Sequence, residues 1–151
     1  MTVRASRRGA TTRGSVLMLM PAAVLIVLLL GAIAVDSAIV YLGQRQAYNV
    51  AFDAANDAAG AGFDADIART TGVIVYDPDR LRALAADAIG AAGVGEIALV
   101  SATVETSPTG EEAVVVTVDV TVRHLFVQAF GQGANETIRI SARARGETRG
   151  P

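Results

Sequence analysis

The chain offers few side chains that could perform chemistry. It has no Cys and no Lys, and His124 is its single histidine. These absences exclude a thiolate nucleophile, a cysteine metal site and a phosphate-binding loop with an invariant lysine. His124 has no second histidine or cysteine as a metal-binding partner, and the serines and threonines have no plausible base. We therefore predict that the chain is not an enzyme and has no cofactor, metal or small-molecule substrate.

Four aspartates lie close together in the middle of the chain and could suggest a calcium site. Their spacing does not match an EF-hand loop. Aspartate also begins turns and caps helices, because its carboxylate accepts hydrogen bonds from backbone N–H groups. Turn and cap roles are the favoured interpretation of Asp64, Asp66, Asp77 and Asp79.

Charge is distributed unevenly along the chain. All 13 basic residues are arginines, and four of them lie in the first 15 residues, which contain no acid. The remaining residues, 16–151, carry 9 arginines against 15 acids, a balance of −6. A nucleic-acid-binding protein would carry its positive charge on the folded part. We predict no nucleic-acid partner and interpret residues 1–15 as a basic cytoplasmic tail.

Residues 16–35 form a run of 20 residues without a charge. A helix of that length, rising 1.5 Å per residue, is about 30 Å long and matches the hydrocarbon core of a bilayer. The rest of the chain is too short to cover every face of so uniform a helix. Under the positive-inside rule, the basic tail keeps the N-terminus inside and sends the C-terminus outside. We predict a single-pass protein of the cytoplasmic (inner) membrane, with its transmembrane segment at 16–42.

A cleavable signal peptide is the alternative interpretation of the same run. Ala32-Ile33-Ala34 fits the small-residue cleavage pattern. The run is longer than the usual apolar region of a signal peptide, and the helical pattern continues through the cleavage point. If cleavage occurs near Ala34, the product is a secreted extracytoplasmic binding module.

Asp36 is the first charge after the apolar run, and the apolar stretch SAIVYLG follows it. One interpretation is an interfacial charge that ends the span at little cost. The other is a polar group that faces a partner subunit in an assembly. Small residues nearby would let a second helix approach closely. The candidate assembly contacts at this seam are Asp36, Gly31, Ala34 and Ala38.

The helical pattern continues over residues 43–62, which we predict to be an extracytoplasmic extension of the same helix. One face is polar, and another carries small side chains at helical spacing. This alanine row consists of Ala47, Ala51, Ala55 and Ala59. It packs on the chain's own sheet or on a neighbouring subunit, and the two are compatible, so the row is also a candidate assembly contact. The helix is expected to end near residues 60–62, where glycine recurs.

Residues 63–147 are predicted to form a small extracytoplasmic α+β domain. The first part, 63–76, has the composition of a connection, with a short strand at 73–76. Asp77 as the N-cap and Pro78 at the first helical position then predict a helix. This helix is expected to stop in the glycine-containing stretch GAAGVG.

Three alternating segments after this helix predict an antiparallel sheet with one dry face covered by helix. The strands are predicted at 96–106, 113–123 and 137–145, with a C-terminal tail at 148–151. The predicted inward side chains are Ala98, Val100, Ala102 and Val104, then Val114, Val116, Val118, Val120 and Val122, and finally Ile138, Ile140, Ala142 and Ala144. The outward arginines of the last strand are expected to lie near Asp119 on its neighbour.

An ordered set of features runs through residues 13–62. It comprises Arg13-Gly14-Ser15, an apolar span with Pro21 in its early part, Val35-Asp36, Tyr41-Leu42, Gln44-Arg45-Gln46 and an alanine-, aspartate- and asparagine-rich run over 51–62. In this order the features resemble the TadE/TadG-like proteins of bacterial tight-adherence (Flp) pilus systems. The resemblance implies a structural or accessory, minor pilin-like component of a Flp-type pilus or related envelope secretion machine, with a pilin-like outline.

The same resemblance implies partners and a location. The expected partners are the lipid bilayer and other pilus or envelope-complex subunits, contacted through the N-terminal helix, and incorporation in a surface appendage is a further expectation. The chain departs from the family pattern because Gly14 is followed by SVLMLM, without the glutamate that TadE-type pseudopilins place after the prepilin-peptidase glycine. It is also too short for the von Willebrand-type domain of full-length TadG proteins. A short TadG-like protein is the nearest description.

Overall fold

A computed structural model describes residues 12–108, 110–126 and 133–145, with side chains from Leu19 onward in the first helix. Residues 1–11 of the predicted basic tail and the C-terminal tail at 148–151 therefore lie outside the described residues, as does part of the loop before the last strand. The chain divides into two compact units, Met1–Val35 and Asp36–Pro151.

The first helix, α1, spans Thr12–Ala61 and includes the whole apolar run. In the first unit its large apolar side chains are exposed, from 38% for Leu29 to 71% for Met20. Within the described chain this is one helix long and apolar enough to cross a membrane, judged by length and composition. The predicted helix end near residues 60–62 is confirmed.

Two shorter helices follow in the second unit. Helix α3, Pro78–Ala91, is the predicted one, and the Asp77 carboxylate accepts bonds from the backbone N–H groups of its first turn as expected. Helix α2, Ala65–Thr71, lies where the sequence predicted only a connection. The short strand predicted at 73–76 is wrong, because only an isolated bridge joins Tyr76 to Phe63 there.

The sheet is a three-stranded antiparallel meander in the order β1-β2-β3. Its strands are β1 Ile97–Thr106, β2 Glu112–Arg123 and β3 Asn135–Ala144. The even-numbered valines of the central strand from Val114 to Val122 are buried, as predicted. Ala113 and Val115, on the opposite face, are buried as well, so burial alternates only from Val116 onward. Opposite them on β3 stand Ile138, Ile140, Ala142 and Ala144, so the predicted inward face of the last strand is also confirmed.

The inward face of β1 differs from the prediction in its first half. Leu99 pairs with Val118, and the next pair is Ser101 with Thr117, so β1 advances by two residues where β2 advances by one. A β-bulge therefore adds one residue, Val100, and shifts the alternation by one position.

Because of the bulge, Ile97 and Leu99 stand opposite inward valines, whereas Ala98 stands opposite Asp119 on the outer face and is exposed. The prediction that placed Ala98 inward is wrong, and Val100 belongs to the bulge. Beyond the bulge the predicted positions hold, since Ala102 and Val104 pair with inward valines.

One hydrophobic cluster forms the core of the second unit. It joins alanines of α1, the stripe Leu81, Ala85 and Ile89 of α3, and the inward side chains of the sheet. The largest fully buried side chains are Leu81, Val114, Val116 and Val118. The sheet thus has one face against helices, as predicted from its alternation.

Candidate functional site

Asp36 is the only polar or charged residue that is buried in the described part of the chain, with 4% of its surface exposed. Its Oδ1 accepts hydrogen bonds from the backbone N–H of Leu125 at 2.8 Å and of Phe126 at 3.2 Å. Its Oδ2 accepts a further bond from Phe126 N at 3.1 Å. The carboxylate therefore caps the chain just after β2, and we call this arrangement the Asp36 cap.

The neighbourhood of the Asp36 cap explains the apolar stretch that follows it. Ile39 and Val40 are half-buried and pack against the core of the second unit. One turn further on, Gly43 lies so close to β2 that a Cβ built there would be 2.8 Å from a methyl group of Val122. The stretch therefore joins α1 to the end of β2, and the glycine permits this close approach.

The alanine row predicted as a packing surface is buried within the chain. Ala47, Ala51 and Ala55 have no exposed surface and Ala59 has 4%. All four belong to the same core cluster as the valines of β2. The structure therefore assigns this row to the chain's own core and leaves no surface there for a neighbouring subunit.

The remaining candidate contacts have a different environment. Gly31 and Ala34, in the first unit, and Ala38, in the second, are all exposed. A Cβ added at Gly31 would meet nothing within 4 Å. Contact of these small residues with a partner helix stays a prediction, and the surface that it needs is available.

An exposed aromatic surface on α1 was not anticipated from the sequence. Tyr48 and Phe52 stack with ring centroids 6.2 Å apart, although they are 47% and 39% exposed. Tyr41, seven residues before Tyr48, is 62% exposed. The helical spacing of these aromatics could have been read as a stripe, since residues seven apart share one face of a helix.

Of the four aspartates that could suggest calcium, Asp64 and Asp77 are helix N-caps, Asp66 pairs with Arg69, and Asp79 lies in the first turn of α3. Asp64 Oδ1 accepts bonds from the backbone N–H groups of Asp66 and Ile67 at 2.9 and 3.1 Å. Asp77 Oδ1 does the same for Asp79 at 3.0 Å. Among the described residues, no group of three or more His, Cys, Asp or Glu is arranged to hold a metal ion.

His124 follows β2 directly and pairs with β3. Its Nε2 lies 3.1 Å from Glu136 Oε2, and its backbone N–H donates to the carbonyl of Ala134 at 2.9 Å. The histidine therefore helps to fix the strand ends next to the Asp36 cap.

Ion pairs lie on the outer face of the sheet, and the predicted pairing with Asp119 is confirmed for Arg139, whereas Arg145 pairs with Glu111. Arg139 donates to both carboxylate oxygens of Asp119, from Nε at 2.8 Å and from an Nη at 2.9 Å. These hydrogen bonds hold the pKa of the Asp119 carboxyl below its ordinary value, and the carboxylate in turn raises the pKa of Arg139. Arg143 on β3 reaches across the central strand and pairs with Glu105 on β1 through one Nη.

Comparison with known proteins gives no assignment. No protein-family model matches the chain, and no curated protein and no solved structure matches it significantly.

Proposed function

We propose that this chain is a single-pass, membrane-anchored structural component of a bacterial envelope assembly, of the minor pilin-like or accessory kind found in Flp-type pilus systems. Its helix α1 crosses the cytoplasmic membrane with the basic tail inside. The second unit stands outside and is joined to other subunits of the assembly through the helix. The observation that carries the proposal is the uncharged run at 16–35, whose described side chains, from Leu19 to Val35, are exposed apart from that of Ala32.

The exposed run supports membrane insertion by simple energetics. Burial of apolar surface contributes roughly 25 cal/mol per Å², so a helix that leaves large apolar side chains such as Leu25, Val27 and Leu28 more than 60% exposed needs an apolar surrounding. A bilayer supplies one around the whole helix. The four arginines that precede the run favour an inside N-terminus.

The second unit supports a structural rather than a catalytic role. The one buried carboxylate among its described residues accepts hydrogen bonds from backbone N–H groups, and its histidine, His124, pairs with Glu136. The ion pairs on the sheet are cross-strand pairs of the ordinary stabilising type. The resemblance of residues 13–62 to TadE/TadG-like proteins then selects pilus or secretion assemblies among structural roles.

Orientation is tested with single cysteines, which are unique labels because the chain has no other cysteine. Ser6→Cys and Thr106→Cys are expressed separately, and intact cells receive a membrane-impermeant maleimide. Labelling is expected at position 106 in intact cells and at position 6 only after lysis. Labelling at position 6 alone would overturn the orientation.

Assembly is tested by purifying the tagged full-length chain from membranes of its own host after brief cross-linking. Mass spectrometry is expected to identify pilin-type subunits and the components of their secretion platform. In the double variant Gly31→Leu, Ala34→Leu these partners should be lost while insertion persists, because leucines block close helix approach without lowering hydrophobicity. Ala22→Leu is the matched control, about half a turn around the helix from Gly31. Failure of the wild-type chain to retain any envelope subunit would refute the assembly role.

A secreted binding module is the second candidate, and one observation favours it. The second unit begins at Asp36, directly after the Ala32-Ile33-Ala34 pattern and Val35. Cleavage near Ala34 would therefore release this unit with Asp36 and its cap intact. The mass of the mature protein decides between the candidates: the full-length mass supports the anchor, and loss of residues 1–34 supports the secreted module.

A further inference from the structure

Two apolar side chains are exposed directly beside the Asp36 cap. Leu125 is 58% exposed and Phe126 is 44% exposed, although their backbone N–H groups are bound by a buried carboxylate. They follow the exposed Arg123 and the pair between His124 and Glu136. We call Leu125 and Phe126 the apolar tip. An apolar pair next to charged and polar groups is typical of a segment that lies in a membrane interface.

The position of Asp36 along the chain fixes the depth of this tip. Asp36 follows the last residue of the uncharged run, whose 20 residues make about 30 Å of helix and match the hydrocarbon core. If residues 16–35 cross the bilayer, the carboxylate lies at the outer edge of the hydrocarbon. The backbone N atoms of Leu125 and Phe126, 2.8–3.2 Å from the carboxylate oxygens, therefore lie close to that level.

The Asp36 cap also suits this depth electrostatically. A carboxylate at the edge of the hydrocarbon is costly when it lacks partners, and so is a backbone N–H group. Here the carboxylate and the N–H groups satisfy one another, because the carboxylate is 4% exposed and accepts hydrogen bonds from two successive backbone N–H groups. The cap therefore lets the tip after β2 approach the hydrocarbon without leaving these polar groups unsatisfied.

Tyr41 gives independent support for an interface at this level. It is 62% exposed and lies five residues after Asp36 on the same helix, about 7.5 Å from it along the helix axis at 1.5 Å per residue. The headgroup layer on each side of the hydrocarbon is roughly 5–8 Å thick. Tyrosine is enriched in that layer, because its ring is apolar and its hydroxyl is polar.

From these observations we propose that Leu125 and Phe126 insert into the outer interface of the bilayer that α1 crosses. The second unit is then held against the membrane at two points, its helix and this tip, and the Asp36 cap joins them. The ligand is the phospholipid interface itself, contacted by two apolar side chains flanked by Arg123. This inference rests on the proposed membrane anchoring by residues 16–35.

The test uses the full-length chain in vesicles of phosphatidylcholine and phosphatidylglycerol. A polarity-sensitive fluorophore is attached to single cysteines at Leu125→Cys, Thr106→Cys and Leu30→Cys. Substitution at Leu125 leaves the Asp36 cap in place, because the donor is the backbone N–H. Thr106 is also exposed but lies at the other end of the sheet, opposite Glu112. Leu30 reports insertion of the helix.

Nitroxide groups on lipids, placed near the top of the acyl chains, then measure depth. The proposal expects blue-shifted emission and severalfold stronger quenching at position 125 than at position 106. Quenching at 30 with equal, weak quenching at 125 and 106 would overturn the proposal and leave the anchor intact. Absence of quenching at position 30 would refute the anchor, and the inserted tip with it.

Discussion

Replacement of Asp36 by leucine removes the acceptor that binds the chain after β2. Leucine is close to aspartate in size and more apolar, so the variant should still insert into a membrane, with the span extended toward Gly43. The carboxylate oxygens that hold Leu125 N and Phe126 N are lost. Asp36→Leu therefore separates the structural role of the cap from the role of the apolar run.

The magnitude follows from the number of groups that lose their partner. Two backbone N–H groups, held by three hydrogen bonds of 2.8–3.2 Å, become unsatisfied. Each such group costs about 1–3 kcal/mol when it stays buried, and water lowers the cost where it can reach. Because Leu125 and Phe126 are exposed, we expect the lower end, about 2 kcal/mol in total for the free energy of unfolding of the second unit.

Asp36→Asn should cost less than Asp36→Leu. The amide keeps one carbonyl oxygen, and the present Oδ1 position alone accepts from both N–H groups. The loss is then the charge assistance and the contact of Phe126 N to Oδ2, about 1 kcal/mol. The order of stability is expected to be wild type, then Asn, then Leu.

The assay is urea unfolding of the full-length chain in detergent micelles, followed by near-ultraviolet circular dichroism. With a denaturant slope of about 2 kcal/mol per M, Asp36→Leu should lower the midpoint by about 1 M. Asp53→Leu is the matched control, because Asp53 lies on the exposed face of α1; its change should stay within about 0.5 kcal/mol. Hydrogen exchange adds local resolution, since the Leu125 and Phe126 amides should exchange faster only in the Asp36 variants.

A wild-type midpoint for Asp36→Leu, together with unchanged exchange at both amides, would refute the cap as a stabilising contact. Equal losses for Asp36→Leu and Asp53→Leu would also refute it, because they would show a general effect of leucine on α1. If the cap is stabilising, any loss of co-purifying subunits in Asp36→Asn has to be compared with its loss of stability before a direct partner contact is inferred.

Three further comparisons between variants test the second unit, and each measures the unfolding of the full-length chain. Val118→Asp places a charge at a fully buried position and should cost several kcal/mol, whereas Thr117→Asp, on the outer face, should be mild; equal losses would mean that the face assignment of β2 is wrong. Gly43→Ala should be less stable than Gly60→Ala by at least about 1 kcal/mol, because only the first Cβ meets a β2 valine while both gain helix propensity. The pKa of Asp119 is lowered in the folded state, so the stability that wild type holds over Asp119→Asn should be present at neutral pH and should disappear as pH falls below about 4; a difference that does not vary with pH would contradict this.

The sequence alone determined the elements whose signals are local. Asp77-Pro78 predicted the start of α3, because a cap and a fixed φ act within one turn. The alternation of β2 predicted its buried face without knowledge of its neighbours. The outward arginine pattern similarly predicted the pair of Arg139 with Asp119, since residues on the same face of adjacent strands meet.

Features that depend on strand pairing were not determined by local pattern. The bulge at Val100 breaks the two-residue period, and nothing in the composition of β1 marks the extra residue. Helix α2 was missed because its seven residues include none that is buried, so it gives no apolar periodicity. In both cases the contacts that select the structure come from other parts of the chain.

The Asp36 cap was decided by tertiary structure alone. The sequence marked Asp36 as an isolated carboxylate at the end of an apolar run, which is compatible with an interfacial charge or with a contact to another subunit. The structure places them 89 and 90 positions away in the same chain. The donors are backbone N–H groups, which nearly every residue possesses, so no side-chain pattern can identify them. Only the path of β2 past the helix brings them to the carboxylate.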